Sequence, residues 1–156
     1  MKYVQDFFGN YMLVSAILGW LIAQFLKIFT GLISNRKFSI WLMFSNGGMP
    51  SSHSATVLAL CTAAGIQYGL GSAAFAISAI LSVIVMNDAS GVRYETGEQA
   101  KIINRIAKEL FSGKEEDFNT GLKELVGHTP FQVAMGALLG VVIAIVYGLI
   151  LGVIPV

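Results

Sequence analysis

The chain has 156 residues and a formal net charge of +1, with 55% hydrophobic and only 12% charged residues. A soluble domain carries roughly twice that charged fraction, so the composition excludes an ordinary water-soluble domain and points to a membrane protein. With near-neutral charge nothing points to nucleic acid, and none is expected as a partner; the single cysteine, Cys61, which lies in an apolar run, excludes an internal disulfide.

The first apolar stretch runs from Tyr11 to Ile33, 23 residues. That exceeds the roughly 7–15 residues of a signal-peptide core, and no small-residue cleavage site follows, so a retained transmembrane helix is expected. A second segment runs from about Ser52 to Leu70 and a third from about Ser72 to Asn87. Both are shorter than the ~20 residues of a full span. Only "YGLGS" separates them, so they read as a tight helical hairpin turning at Gly69 and Gly71.

The long polar stretch, 88–128, comes next. Ile102, Ile103, Ile106, Leu110 and Phe111 recur at helical spacing within it, and so, less cleanly, do Phe118, Leu122, Leu125 and Val126. Two amphipathic helices are expected, lying on the membrane face or capping the bundle. The fourth apolar segment covers about Thr129–Val153. In it Gly136/Gly140 and Gly148/Gly152, like Gly65/Gly69 earlier, are spaced by four, the spacing that lets helix backbones approach closely. The fold class expected is all-α: one polytopic membrane helical bundle over residues 1–156, with about four transmembrane helices plus amphipathic cytoplasmic helices.

Four spans place the 34–51 and 88–128 loops on one side. With Lys27 at its helix end, that side holds nine of the ten lysines and arginines; the other has only Lys2. The positive-inside rule puts both loops in the cytoplasm and both termini outside.

Both histidines fall on the cytoplasmic side, His53 at the start of the second span and His128 just before the fourth. Helix N-termini present unpaired N–H groups and a partial positive charge, which favour anions. In "GGMPSSHSA" (47–55), Gly47 and Gly48 permit close backbone approach, Pro50 sets the start of the helix, and Ser51 or Ser52 can cap it or donate to a phosphate oxygen. "GHTP" repeats this logic with Gly127, His128, Thr129 as cap and Pro130 at the first helical position. Two such starts suggest a phosphate site; the plainer reading is two well-capped helices with interfacial histidines. Lys27, inside the first span, is costly there unless it snorkels. Arg36 and Lys37 follow in the loop as candidates or as topology anchors. Arg93, in "NDASGVR", offers a planar fork suited to phosphate, and Asp88 is near enough in sequence to pair with it.

These motifs, "GGMPSSHSA", "DASGVR" with "GEQAKIIN", and "GHTPFQVAMGALLG", resemble the divergent branch of the type 2 phosphatidic acid phosphatases, whose superfamily includes acid phosphatases and vanadium haloperoxidases. The resemblance runs from about Lys27 to Gly140. The superfamily's Pro-Ser-Gly-His motif reads Pro50-Ser51-Ser52-His53 here, which implies His53 as general acid. "GHTPFQV" puts His128 in the position of the nucleophile that forms a phosphohistidine. Three features depart from the pattern. No Lys-x6-Arg-Pro motif exists, which leaves Lys27, Arg36 and Lys37 as candidates for its role. The arginine expected six residues before the nucleophile is Leu122. The carboxylate expected four residues after it is Gln132, which can accept a hydrogen bond from the imidazole but brings no charge.

The expected function is a membrane lipid-phosphate phosphatase acting on a phosphomonoester or pyrophosphate, with its site at the cytoplasmic face of a bacterial plasma membrane. His128, His53 and Gln132 are its candidate catalytic residues; Lys27, Arg36, Arg93, Ser51, Ser52 and Gly48 its phosphate ligands; Asp88, or else Glu98 or Glu124, a supporting acid. No metal or other cofactor is expected, since neither a His-Glu-x-x-His spacing nor a thiolate cluster exists. Expected partners are the lipid substrate and membrane lipids, and a span count below the superfamily's usual one leaves room for a homodimer. The alternative is an inactive anionic-lipid-binding protein, favoured by Gln132. A transporter and a metal-dependent transferase fit less well, because polar residues gather at helix ends and Asp88 stands alone.

Overall fold

A computed structural model describes residues 1–35, 48–110, 121–122 and 127–154. Six helices follow one another: α1 (Lys2–Phe8), α2 (Tyr11–Asn35), α3 (Ser52–Tyr68), α4 (Ala73–Ser90), α5 (Val92–Leu110) and α6 (Pro130–Ile150). All described regular structure is helical, as the composition led one to expect. The short α1 was not foreseen; it lacks an apolar period, and none of its residues is buried.

The expected boundaries of α3, α4 and α6 lie within a few residues of those observed, because each of these helix starts carries its own side-chain cap. Ser51 accepts from Ser54 N at the head of α3, Ser72 from Phe75 N at the head of α4, and Thr129 from Gln132 N at the head of α6. The α3–α4 hairpin turns where expected. Gly69 holds a φ of +82°, open to glycine at little cost, and its N–H closes on Gly65 O. The first amphipathic pattern is α5, which begins earlier than expected, at Val92. Of the second, Leu122 is not helical, and Phe118, Leu125 and Val126 lie outside the described residues.

The helix α3 is central, packing against α2, α4 and α6. It does so through small side chains: Ala55, Ala59, Ala63 and Ala64 are all buried. Glycines on both neighbours face this alanine stripe. A Cβ on Gly19 of α2 would stand 2.8 Å from Ala55 O, and one on Gly140 of α6 would overlap the same oxygen and stand 2.9 Å from Ala59 N. Of the spaced glycine pairs, Gly136/Gly140 is thus a true contact seam. At the opposite end, Tyr11 donates to Ala144 O and packs with Ala59, Ala63 and Ala144. These contacts run α3 and α6 in one direction and α2 and α4 in the other. Consequently the end of α2, the starts of α3 and α6, and the end of α4 meet at one end of the bundle.

Large apolar side chains point outward instead: Trp20, Leu21 and Phe25 on α2, Ile77, Ile80 and Ile84 on α4, Leu138 and Val142 on α6. In water this distribution would be unstable; in lipid it is what a span requires. Among the described residues, three stretches can cross a membrane by length and composition: Tyr11–Gly31, Ala73–Leu110, which α4 opens, and Pro130–Ile150. With 17 residues, α3 rises about 26 Å against a hydrocarbon core of ~30 Å. The expectation of four spans therefore holds for three helices, and α3 is a shorter, alanine-lined helix enclosed by them.

Candidate active site at the bundle end

The junction 48–51 is tied from both sides. Thr30 Oγ1, three residues beyond Lys27 on α2, donates to Met49 O. Ser51 N donates to Gln132 O in the first turn of α6 at 3.1 Å. Gly48 has a φ of +93°, and the Met49–Pro50 peptide is cis. The two candidate serines divide their work: Ser51 caps α3, while Ser52 Oγ accepts from Lys27 Nζ at 3.2 Å. Lys27 is only 2% exposed. Rather than snorkelling to the surface, it turns inward to the head of α3, a position tolerated in lipid only where polar groups receive it.

His128 arrives from the opposite wall. Its backbone N–H donates to Ala89 O at 2.9 Å, near the end of α4. Gly127 precedes it with a φ of +99° and lies flush on the α4–α5 junction, where a Cβ would stand 2.5 Å from the Arg93 carbonyl carbon. Any other residue there would be both strained and blocked. The His128 side chain is 0% exposed, and neither ring nitrogen has a hydrogen-bond partner of ordinary geometry among the described residues. His53 Nδ1 is likewise buried without one. The two rings meet edge to face, with centroids 5.8 Å apart and planes at 65°. Three ring nitrogens without partners in one enclosed place are rare in a folded protein.

Burial pushes the His128 imidazole down to about 4, and the nearby Lys27 ammonium and His53 ring push in the same direction. At neutral pH His128 is therefore uncharged, with a lone pair free on one nitrogen. Gln132 and the Gly48 backbone lie close enough to oppose this fall. Neither makes a bond of good geometry to the ring. The Gln132 carbonyl oxygen is already engaged: it accepts from Thr129 N at 3.1 Å in a capping box. Gln132 thus stands beside His128 with its carbonyl oxygen engaged in the helix cap.

Arg93 and Asp88 stand at the rim. Arg93 Nε donates to Asp88 Oδ2 at 2.5 Å, with both side chains a little over two-fifths exposed. They pair as the sequence suggested and are near enough to act electrostatically on His53. Glu98, proposed as a substitute acid, instead pairs with Lys101 along α5, both side chains part-exposed. Arg36, Lys37, Gly47 and Glu124 lie outside the described residues. Sequence reasoning missed two backbone supports, Thr30 and Ala89. Thr30 had a signal, being one turn from Lys27 on the same helix face; a bare carbonyl such as Ala89 O has none.

Residues 8–143 match the Divergent PAP2 family. An uncharacterized membrane protein of Bacillus subtilis (strain 168), YuiD, is 42% identical over 147 residues, which cover 88% of this chain and 93% of that protein. No solved structure matches the chain. With a family match over most of its length, and three helices able to cross a bilayer, the chain is an integral membrane protein that belongs to the Divergent PAP2 family.

Proposed function

We propose that this protein is a lipid-phosphate phosphatase that works through a phosphohistidine on His128, without a metal. The observation that carries the reading is the meeting of His53 and His128, with partner-free ring nitrogens, beside a buried lysine and two helix N-termini. A phosphate group suits every one of these features. Lys27 supplies positive charge, the first turns of α3 and α6 supply N–H groups, and the neutral His128 supplies a nucleophile.

The chemistry then runs in two steps. A lone pair of His128 attacks phosphorus in line, a P–N bond forms, and the P–O bond to the leaving group breaks. Protonated His53 gives its proton to the departing oxygen. Water next attacks phosphorus and passes a proton to His53, and the P–N bond breaks to release inorganic phosphate. Lys27 and Arg93 stabilise the charge on the equatorial oxygens in both steps. Asp88 positions Arg93, and Gly48 lets the phosphate approach the backbone of the junction. The lysine and arginine distribution supports a site facing the cytoplasm, with both termini outside. The substrate class is a phosphomonoester or pyrophosphate carried on a lipid.

His128→Asn tests this directly. Phosphate release from phosphatidate, phosphatidylglycerophosphate and polyprenyl phosphates should vanish in that variant; full activity would eliminate the nucleophile assignment. A second reading rests on one observation, the commitment of Gln132 to the helix cap. With no carboxylate holding His128, the pocket would bind an anionic lipid head group without turning it over. Lipid phosphate retained on purification, with no release of inorganic phosphate, would favour that reading.

A further inference from the structure

Neither the bundle nor the proposed chemistry explains α5. At about 100° per residue, Val92, Ile102, Ile103, Ile106 and Leu110 fall in one sector of this helix. Each of the five is at least half exposed. The other side carries Gly97 and Ala100, the buried residues of α5. On that side Asn104 also grips the backbone of Leu122 twice, donating from Nδ2 to Leu122 O and accepting from Leu122 N, both at 2.8 Å. The helix thus has an inner face of small residues turned to the protein and an outer face of large aliphatic ones.

We infer that the outer face of α5 docks into the lipid surface of the bilayer that α4 crosses, laying the helix along the membrane beside the candidate site. Three observations select lipid over another occupant. The helix starts one residue, Gly91, after the end of α4, whose own outward side chains are suited to lipid, so it emerges at head-group level. The apolar sector is about 100° wide, the breadth that suits a flat interface rather than a narrow seam. A second copy would need a continuous apolar seam of small or interlocking residues. Towards the start of α5 the sector is instead interrupted by Glu95 and Gln99, and the small residues of the helix face inward. Arg105 flanks the sector, in reach of lipid phosphates, while Lys101 and Lys108 stand further round the helix, away from it. The inference does not depend on the proposed activity.

Because the start of α5 also carries Gly127 against Arg93 and Tyr94, a docked α5 would hold the approach to His128 at the depth of lipid head groups. The test uses the full chain with Cys61→Ala as background and single cysteines introduced by Ile103→Cys, Ile106→Cys, Lys101→Cys and Arg105→Cys. Each is labelled with an environment-sensitive fluorophore and reconstituted into phosphatidylglycerol–phosphatidylcholine vesicles with brominated acyl chains. Labels at 103 and 106 should be quenched at least about threefold more than those at 101 and 105, since an interfacial helix buries its apolar face roughly 5–10 Å deep. Equal, weak quenching at all four positions overturns the inference. So does efficient disulfide cross-linking of Ile106→Cys between copies without quenching, which would make the face a homodimer contact. If either Ile variant fails to fold, Leu110→Cys at the helix end gives the same reading.

Discussion

Gly136→Ala asks whether the α3–α6 seam sets the distance between the two histidines. A Cβ at this position would overlap Ser51 O and stand 3.1 Å from both Ser51 C and Ser51 Cβ. Restoring ordinary contact near 3.5 Å requires α6 to back away from the head of α3 by about 1 Å. Ser51 cannot yield alone, since its N–H is bonded to Gln132 O on the moving helix and its side chain caps α3. Overpacking of this kind costs about 1–3 kcal/mol, a fall of a few degrees in thermal midpoint for a chain of this size. The larger effect is on the site: α6 carries His128 at its head and α3 carries His53, so the 5.8 Å ring separation must widen. A misplacement of about 1 Å costs on the order of 100-fold in a reaction that depends on alignment. Gly71→Ala is the control, because nothing stands within 4 Å of a Cβ there. Thermal melting in detergent and phosphate release per folded molecule are measured for both. If Gly136→Ala melts and turns over like Gly71→Ala, the close seam and the site geometry built on it are both wrong.

Three further outcomes follow from the same geometry. Lys27→Met should leave the bundle as stable or more so, because a buried cation is removed, yet weaken inorganic vanadate or phosphate binding at least ~10-fold; equal affinity in a binding titration would remove Lys27 from the site. The folded His128 pKa of about 4 lies below its ordinary 6.5, so its contribution to stability is complete above 6.5 and is lost as pH falls from there towards 4. That loss is at most about 3 kcal/mol over the window, and His128→Asn should flatten the corresponding slope in melting midpoint against pH. Gln132→Glu keeps the capping box, since glutamate serves equally at that position, and adds charge beside His128; turnover should rise and the acid limb of kcat/KM should move upward from near 4. An unchanged profile would show that position 132 does not act on the ring.

Much of the fold was legible because in lipid two signals coincide: apolar length marks a span, and a Ser, Thr, Gly or Pro cluster marks its end. "PSSHS", "GLGSAA" and "GHTPF" each delivered a helix start within a residue or two of the observed one. The central position of α3 was less legible. Its alanines read as modest hydrophobicity, and only the glycines of its two neighbours, Gly19 and Gly140, show how closely the backbones pack. Of those, Gly140 announced itself through its spacing from Gly136; Gly19 has no glycine four residues away in its helix and gave no pattern.

The site divides along the same line. Side chains with distinctive chemistry, His53, His128 and Lys27, could be found in the sequence and do converge. What could not be read is which atom answers which. Ser51 and Ser52 look interchangeable in "PSSH", yet one faces its own helix and the other faces Lys27, because helical rotation separates adjacent residues by about 100°. Gln132 illustrates the point more sharply. Its spacing from His128 suggested a partner for the imidazole, but the same spacing from Thr129 makes it the third residue of the helix, where a capping box draws its carbonyl oxygen to Thr129 N. A carboxylate could accept from both the cap and the ring and would add a charge; the amide oxygen is engaged by the cap and brings no charge to the ring. The substitution of an amide for an acid therefore does more than remove a charge. It leaves the carbonyl oxygen beside the buried ring neutral and engaged in closing the helix, with no bond of ordinary geometry to either ring nitrogen among the described residues.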